Sequence, residues 1–158
     1  MKTKFSAEVA LLKAQNWCAY QERSQDETRR KLRSLGLPAS EADEVIATLI
    51  EENYINEERF AIAFAGGKFR IKSWGRNKIK AELRTHKVSE YCINKALKSI
   101  DENDYRITLR RLIEKKRDTL ATADKRKVHY SVLNYLVARG FESDLVSEQL
   151  LRLTNDND

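Results

Sequence analysis

Between residues 59 and 98 the chain carries eleven lysines or arginines against only two carboxylates, Glu82 and Glu90, for a local charge of +9. The rest of the 158 residues, with 19 cations and 22 carboxylates, sums to −3. A block of one sign does no bond chemistry by itself; it attracts a polyanion or an acidic protein surface. An ordinary solvated face mixes its signs, and this stretch does not. At about 3.6 residues per helical turn, Arg76, Lys80, Arg84 and Lys87 stack into one stripe beside an apolar face of Gly75, Ile79, Leu83 and His86. With Lys68, Arg70, Lys72 and Trp74 just upstream, these four cations form the candidate binding set. Each member of the stripe is expected to be solvent-exposed and dispensable for folding.

Parts for catalysis are missing. Gly67-Lys68 has Ile62 where a phosphate loop needs its earlier glycine, and no Ser or Thr follows Lys68. His86 falls on an apolar helix face, where a satisfied core or boundary residue is expected and not a base or ligand. His129 lies in the basic neighbourhood of Lys125, Arg126 and Lys127. The carboxylates are spread along helix faces and capping positions, so no pair is marked out for acid and base work. Cys18 and Cys92 are too few and too far apart for a zinc cluster and are expected to be small core hydrophobes. No catalytic, cofactor or metal residues are expected.

The elements that must position the cations are helices. One proline, five glycines and 34 % charged residues describe an all-α chain without strand alternation. Glu8 and Lys13 interrupt any apolar signal core, and nowhere do 18 apolar residues run together, so a soluble, cytoplasmic protein without a membrane span is expected. Leu32, Leu83 and Leu136 recur at intervals of 51 and 53 residues, each at a helix end before a turn. Ile46, Leu97 and Leu150 follow each anchor by fourteen. This self-similarity predicts three tandem repeats of three helices, at 1–54, 55–101 (the basic one) and 102–158. Repeats that touch only their neighbours present extended surfaces, which favours binding over catalysis.

Caps divide each repeat. Ser24 with Glu27 forms a capping box, and Ser40 with Asp43 opens the next helix. The second repeat starts at Asn56, continues from near Ser73 and ends with a helix capped by Ser89. Asp104, Asp124 and Ser143 open the helices of the third, and the polar tail from Thr154 frays. On the helix after Asn56, Phe60, Phe64, Gly67 and Ile71 share one face while Ile62 and Phe69 lie opposite, the second stripe packing on a neighbouring repeat. Gly66-Gly67 sets two poor helix formers inside it.

Each repeat has the helix, turn, helix outline of a duplex-DNA reader, but its charges are wrong. The helix that would enter the groove carries Glu41, Asp43, Glu44, Glu51 and Glu52 in repeat one, and Glu142, Asp144 and Glu148 in repeat three. Phosphates would repel both. Any nucleic-acid contact falls to the first and second helices, chiefly in repeat two.

Tyr20-Gln21-Glu22-Arg23-Ser24, continuing through Arg30-Lys31-Leu32 and Leu35-Gly36-Leu37, resembles the opening signature of the RecX family, bacterial regulators of the RecA recombinase. The run from Leu49 to Ala61 (Leu-Ile-Glu-Glu-Asn-Tyr-Ile-Asn-Glu-Glu-Arg-Phe-Ala) resembles that family's central motif. Lys68-Phe69-Arg70 with Trp74-Gly75-Arg76-Asn77-Lys78-Ile79-Lys80-Ala81-Glu82-Leu83 resembles its basic continuation. The resemblance covers about residues 17 to 100, with Glu57 where the family often has Asp. It implies an elongated, curved array of three-helix repeats without catalytic activity. It further implies a monomer in recombination and DNA repair that binds the RecA filament on single-stranded DNA, restrains its ATPase and strand exchange, and touches DNA directly only weakly. A stand-alone nucleic-acid-binding helical protein is the alternative, and a structural scaffold a third.

Overall fold

A computed structural model describes residues 5–120 and 124–156. Among them lie nine helices and no strand: α1 (Ala7–Tyr20), α2 (Gln25–Ser34), α3 (Ala39–Glu51), α4 (Glu57–Lys72), α5 (Arg76–Thr85), α6 (Glu90–Lys98), α7 (Glu102–Asp118), α8 (Lys125–Ala138) and α9 (Ser143–Asp156). None of these helices is long and apolar enough to cross a membrane. Asn157 and Asp158, the end of the polar tail, lie outside the described residues. The tail expected to fray from Thr154 instead continues α9 to Asp156.

The capping chemistry explains most helix starts. The Ser24 hydroxyl accepts from Glu27 N–H while the Glu27 carboxylate accepts from Ser24 N–H, closing the box. Asn56, Ser89 and Asp124 likewise accept from the backbone at the starts of α4, α6 and α8. Three starts depart from expectation, that of α5 being set by tertiary contacts. α3 begins at Ala39 behind Pro38, whose fixed φ suits a helix entrance, so Ser40 and Asp43 fall inside it. α7 is capped by Asp101, which accepts from Asp104 N–H. Aspartate serves equally well at either position, and only the backbone geometry selects one.

Leu32, Leu83 and Leu136 are all fully buried. In each repeat the residue five positions on is buried too, and its N–H closes on the leucine carbonyl: Leu37 at 3.3 Å, Val88 at 3.2 Å and Phe141 at 3.0 Å. This is the terminal loop that needs a left-handed residue one position earlier. Gly36 (φ 94°) and Gly140 (φ 99°) fill that place, but in the middle repeat it falls to Lys87 (φ 59°). A left-handed non-glycine residue costs about 1–2 kcal/mol, partly offset by the ~0.5–1 kcal/mol of extra chain entropy that glycine loses on folding. Lys87→Gly is therefore expected to stabilise the fold by about 0.5–1 kcal/mol, read as a shift of the urea midpoint at unchanged slope. A loss of stability would refute this account of the turn.

The chain divides into two compact units, Met1–Ala63 with Leu83–Ala96, and Phe64–Glu82 with Leu97–Asp158. The first buries Ala10, Ala14, Cys18, Leu32, Ile46 and Leu49 together, and burial pushes the Cys18 thiol up, against the opposing charge of Arg23. Cys92 is buried as well. In the second, Tyr105, Leu109, Ile113, Leu136, Phe141 and Val146 are fully enclosed.

α4 contributes to both units and runs unbroken through Gly66 and Gly67. Its buried residues are Phe60, Ala61, Ala65, Gly66 and Phe69, whereas Ile71 is 80 % exposed and Ile62 and Phe64 are only partly covered. The face predicted from large apolar residues is thus displaced, because small side chains admit a close neighbour and the large ones at Ile62 and Ile71 do not. Phe69 does pack as a second stripe, stacked on Tyr105 of the third repeat at 5.7 Å.

Candidate functional site

Of the eight candidate residues, Lys68, Arg70, Lys72, Trp74, Arg76 and Lys80 belong to the second unit, and Arg84 and Lys87 to the first. In the second unit the start of α5 is set by tertiary contacts. Gly75 N–H donates to the Arg139 carbonyl and Asn77 N–H to that of Gly140, each at 2.8 Å, while Arg76 N–H donates to the Tyr105 hydroxyl at 3.1 Å. These partners satisfy donors that a helix leaves unpaired at its first turn. The helix consequently starts at Arg76 and not near Ser73, which takes a left-handed φ of 55°.

Arg76 corrects the expectation of a free surface cation. Its side chain is only 20 % exposed, and its guanidinium lies 3.7 Å from the Tyr105 ring centroid. It donates to Glu142 at 2.8 Å and to Glu102, while the Tyr105 hydroxyl donates to the other Glu142 oxygen. Burial pushes the Tyr105 phenol well up, and the Glu142 bond adds to this. Burial also opposes the Arg76 charge, but the Glu142 bond overrides it and leaves Arg76 more basic than usual. Arg76 therefore fastens α5 to α7 and to the start of α9, the two arms of its guanidinium fork donating to the two carboxylates.

Around this anchor the remaining cations meet ring faces. Lys68 Nζ lies 5.0 Å from the Trp74 ring centroid and 5.4 Å from that of Phe64, and Lys78 Nζ lies 4.4 Å from Trp74. From the third repeat, Arg111 reaches the Ser73 hydroxyl and Arg139 the Lys72 carbonyl. Tyr135, 37 % exposed, lies under Lys116 at 4.7 Å and Arg139 at 5.6 Å. Arg70 and Lys72 are exposed and Lys80 is half-buried. The result is a cationic surface interleaved with Trp74 and Tyr135, suited to a phosphate backbone with stacked bases or to an acidic protein face. Sequence reasoning did not include Lys78, Arg111, Lys116, Tyr135 and Arg139. Lys78 lay in the basic block, but nothing in the sequence joins α7 and α8 to it.

In the first unit Arg84 is paired with Glu90 at 2.8 Å, and Lys87, 77 % exposed on its side chain, reaches Asp26 at 3.3 Å. Lys87 borders a cleft whose other wall is α2, with Arg29, Arg30 and Arg33. His86 is half-buried as expected, its Nδ1 3.1 Å from the Ser24 hydroxyl and its ring 5.2 Å from Phe60. Among the described residues no group of His, Cys, Asp and Glu could hold a metal ion.

Family models fit two parts of the chain: the first three-helix domain of RecX over residues 10–49 and its second three-helix domain over 56–97. The regulatory protein RecX of Clostridium perfringens (strain SM101 / Type A) is 33 % identical over 136 residues, which cover 85 % of this chain and 63 % of that protein. The RecX of Thermotoga sp. (strain RQ2) is 29 % identical over 153 residues, 96 % of this chain and 89 % of its own. The fold matches the crystal structure of RecX from Lactobacillus salivarius with a TM-score of 0.85 at 22 % identity, covering 94 % of this chain and 96 % of that one.

Proposed function

The chain belongs to the RecX family of regulatory proteins, and we propose that it binds the RecA filament on single-stranded DNA and restrains RecA's ATPase and strand exchange. The surface that carries this reading is the one built from Lys68, Lys78, Arg111 and Arg139 around Trp74 and Tyr135. A nucleoprotein filament offers phosphate and acidic protein surface together, and mixed cation and ring chemistry suits both. Its action in this reading is that of a bound regulator, working as a cytoplasmic monomer and catalysing nothing. The division into three modules, 1–54, 55–101 and 102–158, belongs to the same proposal; several modest contacts on one filament add avidity without any single strong one.

The test is RecA ATPase on single-stranded DNA with this protein titrated in. Lys68→Glu with Lys78→Glu should leave the protein folded, at a cost of about 0.5–1 kcal/mol per lost ring contact, and raise the concentration needed for half-suppression about tenfold, the equivalent of ~1.4 kcal/mol. Glu41→Lys with Glu44→Lys, on the acidic face of α3, should leave suppression unchanged or slightly stronger. If the lysine variant folds and suppresses at wild-type concentrations, the binding surface lies elsewhere. The partly exposed Trp74 and Tyr135 rings favour one second reading, a stand-alone binder of single strands. Affinity for a bare oligonucleotide equal to that for the filament, and equally salt-sensitive, would support that reading over RecA regulation.

A further inference from the structure

The first unit contains a cleft of about 740 Å³ bounded by α2 and by the turn after α5. Arg29, Arg30 and Arg33 line it from α2, Lys87 lines it from the turn, and Asp26 is its sole carboxylate. None of the three arginines belongs to the basic block at 59–98, and all three lie in the first unit.

We propose that this cleft is a second binding site, for the phosphodiester backbone of a single-stranded nucleic acid, and that it takes consecutive phosphates. The inference rests on the nucleic-acid part of the proposed function but uses different residues. Four cations against Asp26 in the lining, and Asp43 on Arg29, leave a positive excess in a concave site, where the field of like charges is focused. The pairings that hold these cations are weak enough to yield. Arg30 and Lys87 share the single Asp26, at 3.5 and 3.3 Å, and their side chains are 69 % and 77 % exposed. Arg29 pairs with Asp43 at 3.2 Å where both are open to solvent, and Arg33 donates to the Leu37 carbonyl at 3.0 Å. The Arg29–Asp43 pair is exposed on both sides and contributes little, and although Asp26 is only 14 % exposed, Arg30 and Lys87 divide it between them, so each cation keeps donors for a phosphate.

Geometry selects the form of phosphate. Arg29 and Arg33 stand one helical turn apart, about 6 Å at their Cβ atoms. Successive phosphates of a strand are separated by a sugar, whereas those of a condensed polyphosphate share an oxygen and are much closer. Two forks a turn apart on one wall, with Lys87 across from them, therefore match a strand better than a polyphosphate. An acidic peptide would meet the same charge, but its carboxylates alternate sides and vary in reach, so the fixed pitch of the arginines gives it no advantage.

The experiment measures binding of the full-length chain to a fluorescently labelled dT oligonucleotide by anisotropy, across a salt series and without RecA, so that it stands apart from the ATPase result. Arg30→Glu with Arg33→Glu is expected to weaken binding at least tenfold, and the neutral Arg30→Gln with Arg33→Gln to lower the slope of log K against log salt by about 1.4, at ~0.7 per lost phosphate contact. Asp26→Asn, which removes the carboxylate shared by Arg30 and Lys87, should bind more tightly; a purely structural role for these residues would not produce that change of sign. Wild-type affinity and slope in both arginine variants would overturn the proposal. So would competition by tripolyphosphate or polyglutamate that matches the oligonucleotide at equal charge, the first pointing to a small phosphate ligand and the second to an acidic protein segment. Thermal melts that match wild type establish that each variant is folded, and the glutamine pair keeps the test decisive if the glutamate pair is not.

Discussion

Arg76→Glu should destabilise the second unit by about 3 kcal/mol, the low end of what is lost when one member of a buried ion pair is removed. The low end applies because Arg76 and Glu142 retain 20 % and 27 % exposure and Glu102 is 58 % exposed. The replacement removes the fork that holds Glu102 and Glu142 and sets a third carboxylate between them. It also strips the guanidinium from the Tyr105 ring and leaves the Tyr105–Glu142 bond without its neighbouring cation. Lysine should recover only part of the loss, since a single ammonium cannot bridge two carboxylates in a fixed plane. Because Trp74 lies in the second unit and Trp17 in the first, urea melts followed by fluorescence in a Trp17→Phe background report on the affected region. A midpoint close to wild type would return Arg76 to the surface stripe.

The same network has an acid signature. Burial raises the Glu102 carboxyl, but the charge and hydrogen bond of Arg76, with help from Arg106, hold it below the usual range. A carboxyl that is depressed in the folded state contributes stability above its unfolded value of about 4.3, and that contribution is lost as pH falls through the lower folded value. Wild-type stability should therefore fall on acidification through this window. In Arg76→Gln the part of that fall due to Glu102 should shrink, since only Arg106 still lowers it, so the curve is shallower.

Gly75→Ala should cost about 3 kcal/mol or more, beyond the ordinary range for overpacking. A Cβ on Gly75 would lie 2.3 Å from the Gly140 carbonyl carbon and from the Phe141 nitrogen, and 2.4 Å from the Gly140 oxygen. All three are backbone atoms, so no side chain can turn aside. Relief requires the α5 start to move off the Arg139–Gly140 turn, breaking the two 2.8 Å bonds that satisfy Gly75 and Asn77. Gly140 meets the same constraint from the other side, with its left-handed φ and a Cβ position 2.5 Å from the Lys78 nitrogen. A loss of less than 1 kcal/mol in the urea midpoint would show that the contact relaxes easily.

Local chemistry was legible in the residues themselves. Leu32, Leu83 and Leu136 marked three equivalent helix ends because a helix end needs a buried anchor, a left-handed position and a second buried residue within six places, a pattern held entirely in neighbouring sequence. The capping box at Ser24, the all-α class and the basic block at 59–98 have the same local character. What tertiary structure decided was which cations are free. Arg76 and Lys80 share one helical stripe, yet Glu102, Tyr105 and Glu142, 26 to 66 residues away in sequence, converge on Arg76 alone. The start of α5 followed a carbonyl pair at Arg139 and Gly140, and the buried face of α4 followed its alanines, since in both cases a distant backbone set the outcome. Arg29, Arg30 and Arg33 were plain in the sequence as charges, but a cleft exists only where the turn at Lys87 is brought up to them. Helical periodicity reports which side chains share a face; whether that face meets water, a carboxylate or another helix depends on segments that periodicity does not connect.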